Sequence, residues 1–154
     1  MSPGRMTLPR FIAAGFGTGY APLAAGTVAS AAAVVTGALF LVLSPWLLAT
    51  MALLATIGGY LAVKRASIEG DPGWVVIDEI AGQLLALCGL ARTSLSGLLV
   101  AFLIFRFLDV AKPGPIGWAD RQVGAAGIMA DDVIAGVITA GILWAIDSNW
   151  PTLL

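Results

Sequence analysis

Histidine is absent from the 154 residues, and cysteine occurs once, as Cys88. A disulfide within one chain is therefore impossible, and zinc sites built from Cys and His lack their ligands. Only 11% of the residues are charged, against roughly 25% in an ordinary soluble domain. Eight Lys and Arg against nine Asp and Glu leave no basic excess, so we expect no nucleic-acid partner. Hydrolytic chemistry would have to come from carboxylates, Arg, Lys, hydroxyls or a metal held by oxygen.

Long apolar runs dominate what is present: 59% of the residues are hydrophobic before the 19 glycines are counted. No residue between Arg10 and Lys64 carries a charge. This stretch is long enough for two crossings of a hydrocarbon core about 30 Å thick, each of about 20 residues. Ser44-Pro45 divides it, because proline cannot continue a helix and restrains the residue before it. We predict helices over about 27–43 and 46–63.

Three later uncharged runs, 80–91, 93–105 and 133–146, are each too short to cross a membrane alone. Extending them draws acidic and basic side chains into one end of each helix. Such helices are half-spans or line a polar pocket at the membrane face, where ionisable residues are costly and have a functional role by default. We therefore expect an all-α, polytopic membrane bundle of about five helices, some short or re-entrant, in a single domain over 1–154.

The basic residues predict the orientation in the membrane. A cytoplasmic N-terminus and five crossings leave only Arg92 outside, and every acidic residue except Asp147 inside. The basic residues on the cytoplasmic side are then Arg5, Arg10, Lys64, Arg65, Arg106, Lys112 and Arg121. We expect any chemistry to face the cytoplasm.

A glycine-rich segment, Gly15-Phe16-Gly17-Thr18-Gly19, precedes Gly26-Thr27 at the start of the first long helix. Glycines let successive backbone N–H groups converge on an anion, and a helix N-terminus adds a favourable dipole. Gly17, Thr18 and Thr27 are therefore candidate phosphate-binding residues. The plainer interpretation is a flexible turn at the membrane surface.

Two pairs of adjacent acids, Asp78-Glu79 and Asp131-Asp132, come at predicted helix starts. Acids in that position often only cap the helix or complement its dipole. Adjacent carboxylates beside an apolar helix also suit a hard cation such as Mg²⁺, which prefers oxygen ligands. Both interpretations stay open for each pair.

A third charged segment contains Arg106, Asp109 and Lys112, which are spaced at three residues and so predicted to share one helical face. Asp109 lies near a helix C-terminus, where the dipole disfavours an acid, so capping cannot explain it. A salt bridge to Arg106 or Lys112 is one interpretation. The other is a metal-binding carboxylate whose basic neighbours neutralise a phosphoryl group. For Arg121, next to Asp120, an ion pair and a phosphate contact are likewise the two interpretations.

Together these segments resemble the phosphatidylglycerophosphatase A family of bacteria, in order over about residues 10 to 145. The residues that carry the resemblance are Gly15 to Gly19 with Pro22 and Gly26-Thr27; Asp71-Pro72 with Val76 to Glu79 and Gly82-Gln83; Phe105 to Asp109 with Lys112-Pro113 and Pro115; and Asp120-Arg121 with Gly127 to Asp132 and Gly136. The family usually has a basic residue, often His, and a Gly-Gly pair before Gly-Ile-Met. Here Val123-Gly124-Ala125-Ala126 stands in that place and is one residue shorter.

The resemblance implies a Mg²⁺-dependent phosphatase of the bacterial inner membrane that converts phosphatidylglycerophosphate to phosphatidylglycerol. On this hypothesis Mg²⁺ is held by some of five carboxylates, those of Asp78, Glu79, Asp109, Asp131 and Asp132. Charge on the phosphoryl group is stabilised by Arg106, Lys112 and Arg121. Glu79 is the expected general base, and a covalent aspartyl-phosphate on Asp109 is the alternative.

Two other classes of protein remain open. Carboxylates within the membrane also occur in small ion-coupled transporters or channel subunits. Small residues such as Gly136 and Ala140 would suit a structural scaffold or a homo-oligomer, because they permit close helix packing. An ion-coupled carrier should place its charges near mid-membrane, whereas these charges cluster towards one end, which favours the enzyme.

Overall fold

The computed structural model describes residues 6–68, 70–150 and 152–154; Arg5 and Glu69, which entered the charge count, lie outside these ranges. Within them the chain is helical and contains no strand. The helices are α1 (Leu8–Ala13), a 3-10 segment (Gly15–Tyr20), α2 (Ala25–Leu43), α3 (Pro45–Arg65), α4 (Ile77–Leu87), α5 (Leu95–Ala111), α6 (Pro115–Asp120) and α7 (Gly124–Asn149). The expected all-α bundle is confirmed.

Three helices, α2, α3 and α7, are long and apolar enough to cross a membrane. The first two agree with the predicted pair to within about two residues. They are divided at Ser44, whose side-chain oxygen accepts a hydrogen bond from the backbone N–H of Trp46 at 3.2 Å. Pro45 follows at the first helical position, where its missing N–H costs nothing.

The shorter helix α4 confirms the expectation of a half-span. Its 11 residues extend only about 17 Å, which is well short of the roughly 30 Å hydrocarbon core. It lies in the middle of the bundle and packs against α7, α3 and α2. Helix α5 has 17 residues, the lower limit for a full crossing, and runs back to the end of the bundle where α4 begins.

Helix α7 differs from the prediction. It begins at Gly124, so Asp131 and Asp132 lie in its third turn rather than at its start. The capping interpretation of this pair is therefore wrong. Both residues are buried inside the bundle, and an acid that faces a protein interior does not have to end a membrane helix.

Glycines let α4 and α7 approach each other closely. A Cβ atom on Gly82 would lie 2.5 Å from the carbonyl oxygen of Asp132, and one on Gly136 would lie 2.3 Å from the carbonyl oxygen of Gly82. Further along, a Cβ on Gly89 would lie 2.3 Å from the carbonyl oxygen of Ala140. Side chains at these positions would force the helices apart, so the glycines are what bring the acids of α7 beside those of α4.

Candidate active site

Three carboxylates meet where α4 begins. Ligand oxygens of Asp78 and Glu79, in the first turn of α4, and of Asp132, in α7, all lie within 4.8 Å of one another. Asp78 is only 6% exposed and Asp132 only 3%. Asp78 and Asp132 are 54 positions apart in the sequence, so tertiary packing alone brings them together. We call Asp78, Glu79 and Asp132 the carboxylate cluster.

The capping interpretation of Asp78 and Glu79 does not account for this cluster. The residue at the N-cap of α4 is Val76, and no side chain caps the helix there. One oxygen each of Asp78 (Oδ1), Glu79 (Oε2) and Asp132 (Oδ1) is buried without a hydrogen-bond partner. Buried carboxylates in this state are costly unless a cation compensates them. An all-oxygen donor set of this kind fits a hard divalent cation, so the cluster could hold a metal ion.

An ion pair borders the cluster. The Nη1 group of Arg106 donates to Oδ2 of Asp109, three residues along α5. Asp109 also lies close enough to Asp132 and Glu79 for their charges to interact. The salt bridge considered from the sequence is therefore present, and it lies beside the carboxylates rather than apart from them.

The first turn of α2 packs directly on this ion pair and on Glu79. A Cβ atom on Gly26 would lie 2.1 Å from Oε1 of Glu79 and 3.5 Å from Nη1 of Arg106. From the sequence, Gly26 was placed only at the start of the first long helix, after the glycine-rich segment. The structure makes it the residue whose missing side chain leaves room for Glu79 beside the cluster.

Lys112 does not share a helical face with Arg106 and Asp109, so that prediction is wrong. Helix α5 ends at Ala111, and Lys112 takes a left-handed backbone conformation (φ 45°). Pro113 follows, and proline disfavours helical geometry in the residue before it. The Nζ group of Lys112 turns instead to α6 and α7, where it donates to Asp120 and, at 2.7 Å, to Asp131.

The pKa values of two titratable groups in the loops, Lys112 and Asp71, are shifted. Burial alone would lower the pKa of Lys112, but its hydrogen bonds to Asp120 and Asp131 outweigh burial and raise that pKa above its ordinary value. Burial raises the pKa of Asp71, and the nearby Lys112 partly offsets the rise. Asp71 lies in the loop before α4, among the charges of Lys112, Asp120 and Asp109.

The remaining candidates lie away from the cluster. Asp131 points to Lys112 rather than to the other carboxylates. Thr18 donates its hydroxyl to the carbonyl of Gly15 at 2.9 Å, and no contact of Gly17 or Thr18 with the carboxylates is found among the described residues. Thr27 is exposed in the first turn of α2. Arg121 is exposed and, within the described ranges, makes no ion pair, because Asp120 binds Lys112 instead.

Asp71, Asp120 and Gln83 were not singled out as site residues from the sequence. All three carried a signal, since each lies in a segment of the family resemblance. Gln83 is completely buried one helical turn after Glu79, and both atoms of its amide lack a hydrogen-bond partner. An internal amide in an apolar helix is the signal that could have identified it.

A helical bundle with membrane-length helices, a buried carboxylate cluster and a bordering Arg fits the class of membrane enzymes whose site can hold a metal ion. Comparison with known proteins agrees. The sequence model of a family described as phosphatidylglycerophosphatase A matches residues 11–147, and the chain belongs to that family. No solved structure matches the chain at a significant level.

Curated relatives cover most of the chain. Phosphatidylglycerophosphatase A of Escherichia coli (strain K12) is 42% identical over 145 residues, which are 91% of this chain and 84% of the relative. The protein of the same name from Haemophilus influenzae is 36% identical over 141 residues, 88% of this chain and 86% of the relative. A Bacteroides thetaiotaomicron protein, provisionally named a phosphatidylinositol-3-phosphatase, is 35% identical over 139 residues, 84% of this chain and 87% of the relative.

Family membership resolves the choice between protein classes. The chain is a phosphatase, that is, a phosphoric monoester hydrolase, and the resemblance seen in the sequence is confirmed. The alternative of an ion-coupled transporter or channel subunit finds no support among these relatives. Together with the three apolar helices, the relatives indicate a membrane protein.

Proposed function

We propose that this chain removes the terminal phosphate of phosphatidylglycerophosphate, with Mg²⁺ as its metal ion, to give phosphatidylglycerol and inorganic phosphate. The observation that carries the proposal is the buried carboxylate cluster of α4 and α7 beside Arg106 in a bundle with membrane-length helices. The names of two relatives supply the substrate.

The proposed metal ligands are Asp78, Glu79 and Asp132, with Asp109 at the edge of the set. Their unpartnered oxygens would be available to a cation, and Mg²⁺ is typically bound by a few carboxylates while it keeps several waters. When bound, Mg²⁺ polarises a phosphoryl oxygen and lowers the pKa of a bound water. Asp131 is assigned a different role, because its carboxylate holds Lys112 in place.

Basic side chains would bind the phosphate. A phosphate monoester carries about two negative charges near neutral pH, so it needs more than one cation. Arg106 has five N–H donors, and among the described residues only Asp109 takes one up. The guanidinium can therefore bind a phosphate in the fork geometry that arginine favours, while Asp109 fixes its orientation. Lys112 and the exposed Arg121 would add positive charge at the same end of the bundle.

Glu79 is the proposed general base. Its buried, unpartnered Oε2 would bind the metal ion, and its other oxygen, Oε1, which faces Gly26, would accept a proton from an attacking water. Asp109 is a poorer nucleophile, because the ion pair with Arg106 holds its carboxylate and disperses its charge. Acid quenching during turnover with ³²P-labelled substrate should trap no phosphoenzyme. A label retained on Asp109 would show that the reaction proceeds through an aspartyl-phosphate and not by direct attack of water on the substrate.

The proposed location is the bacterial inner membrane, with several crossings and with the site at the cytoplasmic face. Asp78, Arg106 and Asp132 lie at the end where α4 begins, whereas Arg92 lies at the other end and binds the carbonyl of Leu154 at 2.8 Å. Such an asymmetry agrees with the positive-inside rule. The diacyl tails of the substrate could then remain in the bilayer while its phosphates reach the cluster.

The test is phosphate release by the purified full-length chain in nanodiscs that contain phosphatidylglycerophosphate. We expect release with Mg²⁺ and none with EDTA. Asp132→Asn should abolish release, whereas Asp147→Asn, near the other end of the same helix, should leave the rate within about twofold. No Mg²⁺-dependent release by the wild-type chain would refute the proposal. A parallel assay with phosphatidylinositol 3-phosphate, the substrate suggested by the Bacteroides relative's name, should show slower release, and faster release would reassign the substrate.

A further inference from the structure

A second feature of the molecule is an apolar cavity of about 510 Å³, which is lined mainly by α2 and α3 and also by α1, the 3-10 segment and α4. We call it the α2–α3 slot. Its volume falls within the range of about 300–1,000 Å³ that is typical of ligand pockets. Ala32, Thr36 and Phe40 line it on α2, and Met51, Leu54 and Gly58 line it on α3.

The walls of the slot suit hydrocarbon. None of the lining residues is charged. The hydroxyl of Thr36 is already used, since it donates to the carbonyl of Ala32 at 2.9 Å, and that of Thr18 donates to the carbonyl of Gly15. An anionic head group would find no cation and no unused donor among these side chains. A hydrocarbon chain would fill the slot without leaving a polar group unpaired.

The slot also has the direction of a lipid tail. Its lining residues span nine positions on each helix, from Ala32 to Phe40 and from Met51 to Gly59, or about 12 Å along helices long enough to cross a membrane. Phe16 and Leu54 in its wall are 63% and 56% exposed, so the slot opens at the surface of the bundle.

The slot and the carboxylate cluster both include residues of the first turn of α4. Ile77 and Ile80 line the slot, and between them lie Asp78 and Glu79, which belong to the cluster. The two sites are therefore separated by about the width of one helix, roughly 10 Å. A lipid whose phosphate is bound at the cluster has its glycerol backbone and tails within reach of the slot.

We propose that the α2–α3 slot binds one fatty acyl chain of the lipid substrate while the phosphate group occupies the carboxylate cluster. This inference rests on the proposed function and adds to it a site for the tail. It predicts a preference for a long-chain lipid over a water-soluble phosphate monoester, set by residues of α2 and α3. A free fatty acid is a poorer occupant, because no lining residue would pair with its carboxylate.

Gly58 provides the test, because a Cβ atom there would meet no atom within 4 Å. A leucine at this position can extend into the slot. Gly141 is the matched control: it lies within α7, does not line the slot, and its Cβ would also meet nothing within 4 Å. The variants are Gly58→Leu, the milder Gly58→Ala, and Gly141→Leu. Each is assayed as the full chain in nanodiscs, with the long-chain substrate in the bilayer or the short-chain substrate dissolved in the surrounding buffer.

We expect Gly58→Leu to lower kcat/KM for dioleoyl phosphatidylglycerophosphate at least tenfold, mainly through KM, with a smaller effect for Gly58→Ala. A tenfold change corresponds to about 1.4 kcal/mol. The soluble dihexanoyl substrate should be turned over within twofold of the wild-type rate. Gly141→Leu should leave both substrates within twofold. An equal loss of kcat/KM for both chain lengths, or no loss at all, would overturn the proposal that the slot binds an acyl chain.

A second measurement separates the slot from the reaction. Native mass spectrometry in EDTA should show dioleoyl phosphatidylglycerophosphate retained by the wild-type chain and by Gly141→Leu, and about tenfold less by Gly58→Leu. Equal retention by the wild-type chain and Gly58→Leu would overturn the slot even if the enzyme is active. If the wild-type chain releases no phosphate from either substrate, the proposed function fails, and lipid retention alone decides the slot.

Discussion

Gly26→Ala is predicted to disable the enzyme without unfolding it. The new Cβ atom would lie 2.1 Å from Oε1 of Glu79 and 3.0 Å from its Cδ. These atoms are the end of a flexible side chain, so the carboxylate can give way while the backbone of α2 stays in place. To restore ordinary contact, Oε1 has to move by about 1 Å from its position beside Asp78 and Asp132.

The expected magnitudes separate folding from activity. Alanine in place of glycine favours a helix by up to about 1 kcal/mol. A displaced Glu79 rotamer costs about 0.5–1.5 kcal/mol. The two terms nearly cancel, so the unfolding midpoint should move by less than about 4 °C. A misplacement of about 1 Å in an active site can cost about 100-fold in rate, and we expect a loss of that order.

The assay is phosphate release as a function of Mg²⁺ concentration, with Gly141→Ala as a control glycine that has open space. Glu79→Asp in the Gly26→Ala background shortens the displaced side chain and should recover part of the lost Mg²⁺ affinity. The double-mutant cycle measures this coupling. If Gly26→Ala keeps more than half of the wild-type rate with an unchanged Mg²⁺ requirement, Glu79 does not act from the position described. A variant that fails to fold would refute the estimate of stability.

Three further predictions concern charge. Asp132→Asn should raise the unfolding midpoint in EDTA, because it relieves repulsion among buried carboxylates. It should also abolish the rise in unfolding midpoint that Mg²⁺ produces in the wild-type chain. An unchanged Mg²⁺ effect on the midpoint would exclude Asp132 as a ligand. Lys112→Met should destabilise by about 1–3 kcal/mol, because it leaves the buried Asp131 unpaired. Asp120→Asn should cost less than about 1 kcal/mol, since its ion pair is more exposed. Equal denaturation midpoints for these last two variants would contradict this ranking.

The sequence by itself determined the class of fold and the position of most helices. An uncharged run that contains a single proline break has few alternatives to two apolar helices, because the spacing of charges and the geometry of proline are local properties. The short run after Glu79 likewise predicted a half-span, which is α4. The charged candidates were also recognisable, since carboxylates within an apolar chain are rare.

Only the tertiary structure decided which of these charges act together. Asp131 and Asp132 are adjacent in the sequence, but a helix turns about 100° between them, so one faces Lys112 and the other faces α4. The second contact depends on Gly82 and Gly136, which let two backbones approach more closely than side chains would allow. Such pairings depend on packing between distant segments, and neither the spacing nor the composition of the sequence records that packing.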